Sequence, residues 1–550
     1  MSTRGLASAG ISGVEVSVDG TPLDPSLKAV IGEVRVEQSI AVPATFALRL
    51  DDPRLEVVDE GPFSVGAQVK ISMAGPGDAA LVQVLDGLIT ALEPEFRADG
   101  VTVAVRGYDR SHAMTRSRRT DTYQDSTVAD VVRRVAERNG LSGGDLQEVG
   151  GVQEFIQQSD ETDLDFLRRL ARRAGCELTV DAGEVHMRRI GDDGGESPIE
   201  LRYGKELRAF RPRVSGVQQV ETVTVRGWDY SSKQAIEAVA TPATPGTIGI
   251  ERDTVVGALA GGELLLADAA VTSQEEAQAL ADGIAAEIAG AFAEADGACA
   301  GDARIRAGRM VDVQGLGATY SGTYRVSSVD HVMRGTTGFQ TRFRVSGAAS
   351  RGLLDLASPP ERRRWDGSAV AVGVVTQNED PDGLGRVRIS FPTLGDDAEG
   401  WWARIASPGA GKERGLIMTP LVGDEVLVAF EHDDVRRPYV IGALWNGEDS
   451  PGDLPQTDGS FRLHSDERIE MTANGEMTIS GEKSLEITTT EKAVLKPSGN
   501  HEVESGGEVK ITAASAVTLE AGSSLTIKGG SISIQASGQV SVSGSAITLG

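Results

Sequence analysis

From Ile469 the chain reads IEMTANGE, MTISGEKS, LEITTTEK, AVLKPSGN, HEVESGGE, VKITAASA, VTLEAGSS, LTIKGGS and ISIQASG, and nearly every block opens apolar, polar, apolar. Down the first column stand Ile469, Met477, Leu485, Ala493, His501, Val509, Val517 and Leu525; only His501 breaks it. The column two residues later is apolar throughout: Met471, Ile479, Ile487, Leu495, Val503, Ile511, Leu519 and Ile527. Ile532/Ile534, Val540/Val542 and Ile547/Leu549 continue it at spacings of seven or eight. The residue between is polar in the first eight rows except at Val494.

Apolar–polar–apolar marks a short strand with one buried face. Corner formers such as Gly506-Gly507, Gly522-Ser523-Ser524 and Gly529-Gly530 separate the strands. Eight residues are too few for a rung of a single-chain β-helix, which needs two or three strands with their turns. Two inward side chains per unit cannot be covered by one chain either. The simplest closure is three intertwined chains, each giving one side of a triangular section. Burial is worth about 2 kcal/mol per side chain, and without partners nothing would offset the ordering entropy. At about 4.8 Å per stacked strand, some eleven units would build a stiff needle roughly 50 Å long.

The trimer core is therefore expected at Met471, Ile479, Ile487, Leu495, Val503, Ile511, Leu519, Ile527, Ile534 and Val542. No charge follows Lys528, and three copies of Ile547, Leu549 and Gly550 would present strand edges and an apolar triangle. That reads as a docking platform for a separate tip protein.

Composition narrows the remaining classes. A formal charge of −27 lacks the basic footprint that nucleic-acid binding needs. The two cysteines, Cys176 and Cys299, cannot make a disulfide framework or a metal knuckle, and read as small buried residues. Residues 1–14 lack the basic segment and apolar core of a secretory signal, and no run approaches the roughly 20 apolar residues of a membrane span. Synthesis and folding in the cytoplasm are expected.

Five strand-like runs stand before the repeat: 370–375, 386–391, 401–405, Leu416 with 425–430, and 439–444. Asp380-Pro381-Asp382-Gly383 and Val422-Gly423-Asp424 supply turns. Five short strands in about 80 residues fit an OB-type barrel. Trp401-Trp402 could stack on bases, but without a basic surface they read better as core or interface filler.

Here a resemblance becomes specific. Gly373-Val374-Val375-Thr376-Gln377-Asn378, Asp380-Pro381, Gly385-Arg386-Val387, Trp402-Ala403-Arg404 and Gly423-Asp424-Glu425-Val426 come in order, then Arg437-Pro438-Tyr439-Val440 and Trp445-Asn446-Gly447. Together they resemble the OB domain of VgrG and phage-baseplate spike proteins.

Residues 1–365 read as strands with three helices, near 127–138, 162–174 and 274–294. The inward faces are expected at Val128, Val131, Val132 and Val135, then Leu164, Leu167, Leu170 and Ala174, then Leu280, Ile284, Ile288 and Phe292. Ser273 and Glu276 form a capping-box pattern. Gly107-Tyr108-Asp109-Arg110-Ser111-His112, Glu161-Thr162-Asp163 with Phe166-Leu167-Arg168, and Gly322-Thr323-Tyr324-Arg325-Val326 resemble the hub half of the same family.

The reading is mainly β: a hub of two β-barrel-like lobes plus helices (1–365), an OB-fold domain (366–450), a linker (451–468) and a triple-stranded β-helix (469–550). The resemblance implies a homotrimer whose paired barrels mate a six-fold inner tube to a three-fold spike. It further implies baseplate partners, a PAAR-like tip protein, effector cargo, and contact with a target membrane only on firing. Some spikes hold iron at closely spaced tip histidines; here the last histidine is His501, so no metal or cofactor is expected. Residues 42–46 read VPATF where type VI secretion spikes commonly carry Phe-x-Gly-x-Glu, which favours an extracellular contractile system or phage-like tail.

Two other classes compete with this reading. A peptidoglycan-degrading enzyme would need a domain between Asn446 and Ile469, where too few residues stand. Ser111-His112 lacks a Gly-x-Ser-x-Gly elbow. Asp51-Asp52 and Asp192-Asp193 read as solvated loops, and His432-Asp433-Asp434 and His464-x-Asp466-Glu467 lack a third spaced metal ligand. An OB-based oligonucleotide binder meets the charge objection above.

Overall fold

The computed structural model describes residues 13–75, 80–98, 100–192, 194–229, 232–267, 270–271, 273–347, 370–392, 399–452, 461–465 and 467–548. The chain divides into two units, Met1–Leu454 and Pro455–Gly550. The expected boundary near residue 365 and part of the expected linker lie outside the described residues, as do Leu549, Gly550, Asp193 and Asp466.

The first unit is organised by an 11-stranded antiparallel sheet. Its order runs Leu207–Val214, Ala293–Ala300, Gly338–Val345, Ser328–Arg334, Ile31–Ser39, Thr45–Asp51, Gly100–Asp109, Leu81–Arg97, Gln68–Ala74, Val14–Val18 and Thr21–Pro22. The two expected barrel-like lobes are joined through this one sheet. The seam is the pairing of Ile31–Ser39 with Ser328–Arg334, from Ser328 opposite Ser39 to Arg334 opposite Glu33. Backbone bonds across the seam let two half-barrels merge, a pairing between distant segments that local periodicity cannot reveal.

Alternation along the strands creates a core on each side of the seam. One holds Val34, Val36, Leu48, Leu50, Ile71 and Val105; the other holds Leu207, Cys299, Val311, Val326 and Phe343. The opposite sheet face is charged and paired across strands: Arg35 with Asp330 at 2.9 Å, Arg334 with Glu33 at 2.8 Å, and Arg106 with Glu93 at 2.9 Å. Gly107 sits where a Cβ would lie 2.0 Å from the Leu88 carbonyl oxygen and 2.5 Å from the Phe46 ring. Only glycine permits that approach.

The helices follow their caps. Thr127 accepts from the Asp130 N–H and opens Val128–Arg138; Thr162 accepts from the Asp165 N–H and opens Asp163–Arg173. Their apolar faces meet in one core with Tyr123, Ile156 and Met187. Ser273 caps the third helix through the Glu276 N–H, but that helix, Gln274–Gly290, stops short of residue 294. Its fully buried positions are Ala277, Ala279, Ala281, Gly283, Ala285 and Ala289, while Leu280, Ile284 and Ile288 are only partly buried. Small residues win because the helix is packed closely: a Cβ on Gly283 would meet the Gly175 backbone at 2.5 Å.

The OB domain is a closed barrel ordered Val370–Gln377, Val387–Ser390, Glu399–Ile405, Pro438–Ala443 and Glu425–Phe430. Val375, Val387, Ile389, Val426, Val428 and Val440 fill it. Leu416, expected with the fourth strand, lies outside it and is half exposed, because the chain diverts through the small hairpin Ala410–Gly411/Arg414–Gly415. The Asp380 carboxylate accepts from the backbone N–H groups of Asp382, Leu384 and Arg386 and from the Arg386 guanidinium. The Arg386 side-chain bond leads in holding that carboxyl well below the usual range. This knot explains the Asp-Pro…Gly-Arg motif. Cys176 and Cys299 are free and buried, and burial pushes their thiols up to about 11 and about 12.

In the second unit the described residues bend at regular intervals, at 474–475, 482–483, 490–491, 498–499, 506–507, 514–515 and 522–523. The bends recur every eight residues, in phase with the apolar pairs. Among the described residues after 460 none lies in a strand ladder within this chain, and all that carry a burial class are exposed.

Candidate assembly surfaces

The first candidate surface is the repeat itself. At the corner after His501, the Gly507 N–H donates to the Ser505 hydroxyl at 3.2 Å and fixes a bend between two extended segments. Residues two apart then point the same way. Of the expected core positions, Met471, Ile479, Ile487, Leu495, Val503, Ile511, Leu519, Ile527, Ile534 and Val542 are 62–80% exposed. The first-column apolar residues, Ile469 to Ile547, are 46–60% exposed. A monomeric soluble protein rarely exposes a contiguous apolar patch beyond a few hundred Å². Two continuous columns of Ile, Leu, Val and Met exceed that greatly. Of the expected tip residues, Ile547 is exposed.

The second candidate is the joint between hub and barrel, which lies within the first unit. Asp434, after the turn Glu431–Asp433, receives Arg173 at 3.0 Å and Arg436 at 2.9 Å. Glu276, in the first turn of its helix, accepts from the same two arginines at 2.9 and 3.0 Å. Burial alone would raise the Asp434 carboxyl, but Arg436 and Arg173 outweigh it and hold it far below the usual range. Two carboxylates and two guanidiniums thus bridge helix Asp163–Arg173, helix Gln274–Gly290 and the barrel. Around them Arg436 donates to Gln153 at 3.0 Å and Arg437 to the Val271 carbonyl at 3.0 Å. Trp401 stacks on Phe155 of the hub with ring centroids 5.4 Å apart.

Sequence reasoning assigned Trp401 to filler, and that is its place. It set aside a metal role for His432-Asp433-Asp434 but missed the ion cluster, in which the Asp434 carboxylate is occupied by two arginines. The run Asp433-Asp434-Val435-Arg436-Arg437 was the available signal, yet nothing in it names Arg173 or Glu276. Among the described residues no group of three His, Cys, Asp or Glu is placed to hold a metal ion. Asp109 accepts from the Ala44 and Ser111 N–H groups at 2.8 and 2.9 Å, and His112 stacks on Tyr108 at 4.5 Å. That motif ties a turn to the sheet. His331 lies fully buried between the Thr341 hydroxyl and the Ile305 carbonyl, each at 3.0 Å.

A sheet-built hub, an OB barrel and an apolar extended repeat define the class of hub-and-spike proteins of contractile tails. Residues 8–335 match the family model described as the Alg8 N-terminal domain. Residues 371–445 match the type VI secretion system/phage-baseplate injector OB domain. The first match spans more than half of the chain, which therefore belongs to that family; the OB-domain match and the curated relatives below relate it to VgrG and phage-baseplate hub-and-spike proteins.

Among curated relatives, the type VI secretion system spike protein VgrG4b of Pseudomonas aeruginosa is 25% identical over 379 residues, covering 62% of this chain and 46% of that protein. The probable baseplate hub protein of Escherichia phage P2 is 34% identical over 111 residues, 20% of this chain and 28% of that one. The chain thus spans less than half the length of these relatives. A solved Escherichia coli component of the type VI secretion system has a TM-score of 0.49 at 17% identity, covering 78% of this chain and 99% of that one.

Proposed function

We propose that this protein is the homotrimeric central spike and hub of a contractile injection system, a structural part that catalyses no reaction. One observation carries the reading: an octad stripe of apolar pairs whose corners recur in phase and which finds no cover among the described residues of its own chain. Three intertwined copies would bury both columns and pair every backbone edge. The stiff prism would transmit the thrust of a contracting sheath along its axis, through a target envelope. The hub would seat on the inner tube and baseplate and convert six-fold to three-fold symmetry; the similarity to a type VI spike protein and to a phage baseplate hub protein supports that role.

The sequence VPATF at residues 42–46 favours an extracellular contractile system or phage-like tail over type VI secretion. No helix among the described residues is long and apolar enough to cross a membrane. On this reading the particle is assembled in the cytoplasm, and the needle meets the target membrane only on firing. The uncharged stretch after Lys528, with Ile547, Leu549 and Gly550, supports docking of a PAAR-like tip protein, and effector cargo would travel with the spike.

Sedimentation of the purified chain at micromolar concentration is expected to give a detergent-resistant trimer, and micrographs of native preparations to show sheathed particles. A monomer would end this reading. Truncation after Lys528 is expected to lose a co-purifying tip protein; unchanged tip occupancy would refute the docking role alone.

A further inference from the structure

The OB barrel carries two apolar surfaces that its own fold leaves bare. The first is the segment 416–422, LIMTPLV, which has no charge in a chain of net charge −27. It is not a loose loop. The Leu416 N–H donates to the Gly409 carbonyl at 3.1 Å, Asn378 donates to the Pro420 carbonyl at 3.3 Å, and the Leu421 N–H donates to Asp424 at 2.7 Å. Pinned in this way, it still holds Ile417 88%, Met418 62% and Leu421 64% exposed. The ordering cost of presenting these side chains is already met in the single chain.

The second surface is the outside of the barrel over Val370–Gln377, Glu425–Phe430 and Pro438–Ala443. An antiparallel strand with one solvated face alternates apolar and polar residues. Here the outward positions are Val370, Val372, Leu427 and Ile441, beside inward Val426, Val428 and Val440. Val372 stands opposite Leu427, and Ile441 bulges outward between the pairs Leu427–Gly442 and Val428–Val440. Strands apolar on both faces are strands covered on both faces. Contact between them would add to the area buried along the needle, so neither has to supply alone the roughly 800 Å² that one partner contributes to a standard interface.

We propose that the segment 416–422 of one copy docks on this outer strand face of the next, so that three barrels close a ring. The proposal rests on the homotrimer reading above and gives it a contact independent of the repeat. Two different patches that fit each other make a head-to-tail contact, which closes when the rotation between copies is one third of a turn. Copies of this chain are the partner these surfaces favour. Barrels whose chains join a common needle from Ile469, 24 residues after Trp445, are tethered at high effective concentration. Strongly acidic copies can also approach only through uncharged surface.

The test uses the full chain, whose native cysteines are both buried. I417C and I441C are made singly and together, with V217C as a reference at a hub position that is 87% exposed. In protein that sediments as a trimer, both single variants should react with maleimide about ten-fold or more slowly than V217C. The double variant, treated with a short bifunctional maleimide, should run as a covalent trimer on a denaturing gel. A trimer in which I417C labels as fast as V217C would overturn the docking while leaving the needle trimer intact. Slow labelling without a covalent trimer would overturn the pairing of these two surfaces. Protection that appears only in assembled particles would give the surfaces to another component and equally overturn it. A monomer would remove both readings together.

Discussion

The barrel strand Glu425–Phe430 and the repeat around Ile511 carry the same alternation, yet they meet opposite fates. In the barrel, Val426, Val428 and Phe430 are 0%, 0% and 7% exposed. In the repeat, Ile511, Leu519 and Ile527 are 71%, 67% and 62% exposed. Both segments declare that one face is to be buried. They differ in where the cover comes from: the barrel closes on itself through four other strands of the chain, whereas an eight-residue unit ends before it can turn back on its neighbour. Alternation therefore specifies a face, and unit length specifies whether the same chain can cover it.

The strongest way to break this contrast is to charge the face that lacks its own cover. Replacing Ile511, Leu519 and Ile527 with Asp should abolish the proposed trimer, because unpaired buried carboxylates cost far more than packing returns. The first unit should keep its far-UV spectrum, since its cores are internal. Sedimentation and circular dichroism on one sample check both halves; a variant that still trimerises would show that the columns are not the core.

Next in size is the joint within the first unit. Asp434→Ala leaves Arg173 and Arg436 short of a buried partner and should destabilise the docked barrel by about 3–5 kcal/mol. Limited proteolysis and denaturant unfolding should show the barrel released from the hub while its own strands persist. An unchanged midpoint would mean the cluster does not hold the joint.

His331 sharpens the contrast through pH. Burial lowers its imidazole to about 4, below its ordinary 6.5, so the folded hub holds it neutral. The unfolded chain binds the extra proton first as pH falls, so this stabilisation is complete above about 6.5 and drains away toward 4. The loss is on the order of 3 kcal/mol at its limit. In His331→Asn the stability of the first unit should vary less over that window. An equal slope in both proteins would place the dependence elsewhere.

The smallest expected effect is at Trp401. Removing its ring loses the stack on Phe155 from a half-buried position, about 1–2 kcal/mol. Trp401→Ala should lower the unfolding midpoint less than Asp434→Ala, and the reverse order would make apolar contact, not the ion cluster, the main tie.

Legibility in the sequence followed the range of the interactions. The three helix starts at Thr127, Thr162 and Ser273 were readable because a cap acts within three residues. The five barrel strands were readable from alternation, apart from Leu416, which looked like strand and serves a surface. Of the residues expected along the third helix, Phe292 is buried and Leu280, Ile284 and Ile288 pack against the core, while the tightest positions go to Ala and Gly through close packing against Gly175, a choice made by the neighbour. The ion cluster was invisible since Arg173, Glu276 and Asp434 are brought together only by the fold.

By itself the sequence determined the period of the repeat, the two apolar columns, and the strand and helix menu. These depend on neighbours within a few residues, where backbone geometry leaves few choices. Only the tertiary structure decided that two lobes share one sheet through Ile31–Ser39 and Ser328–Arg334, and that Asp434 is a tie between hub and barrel. Those outcomes depend on which distant segments can meet without burying an unpaired charge or an unbonded backbone, a condition no local pattern encodes.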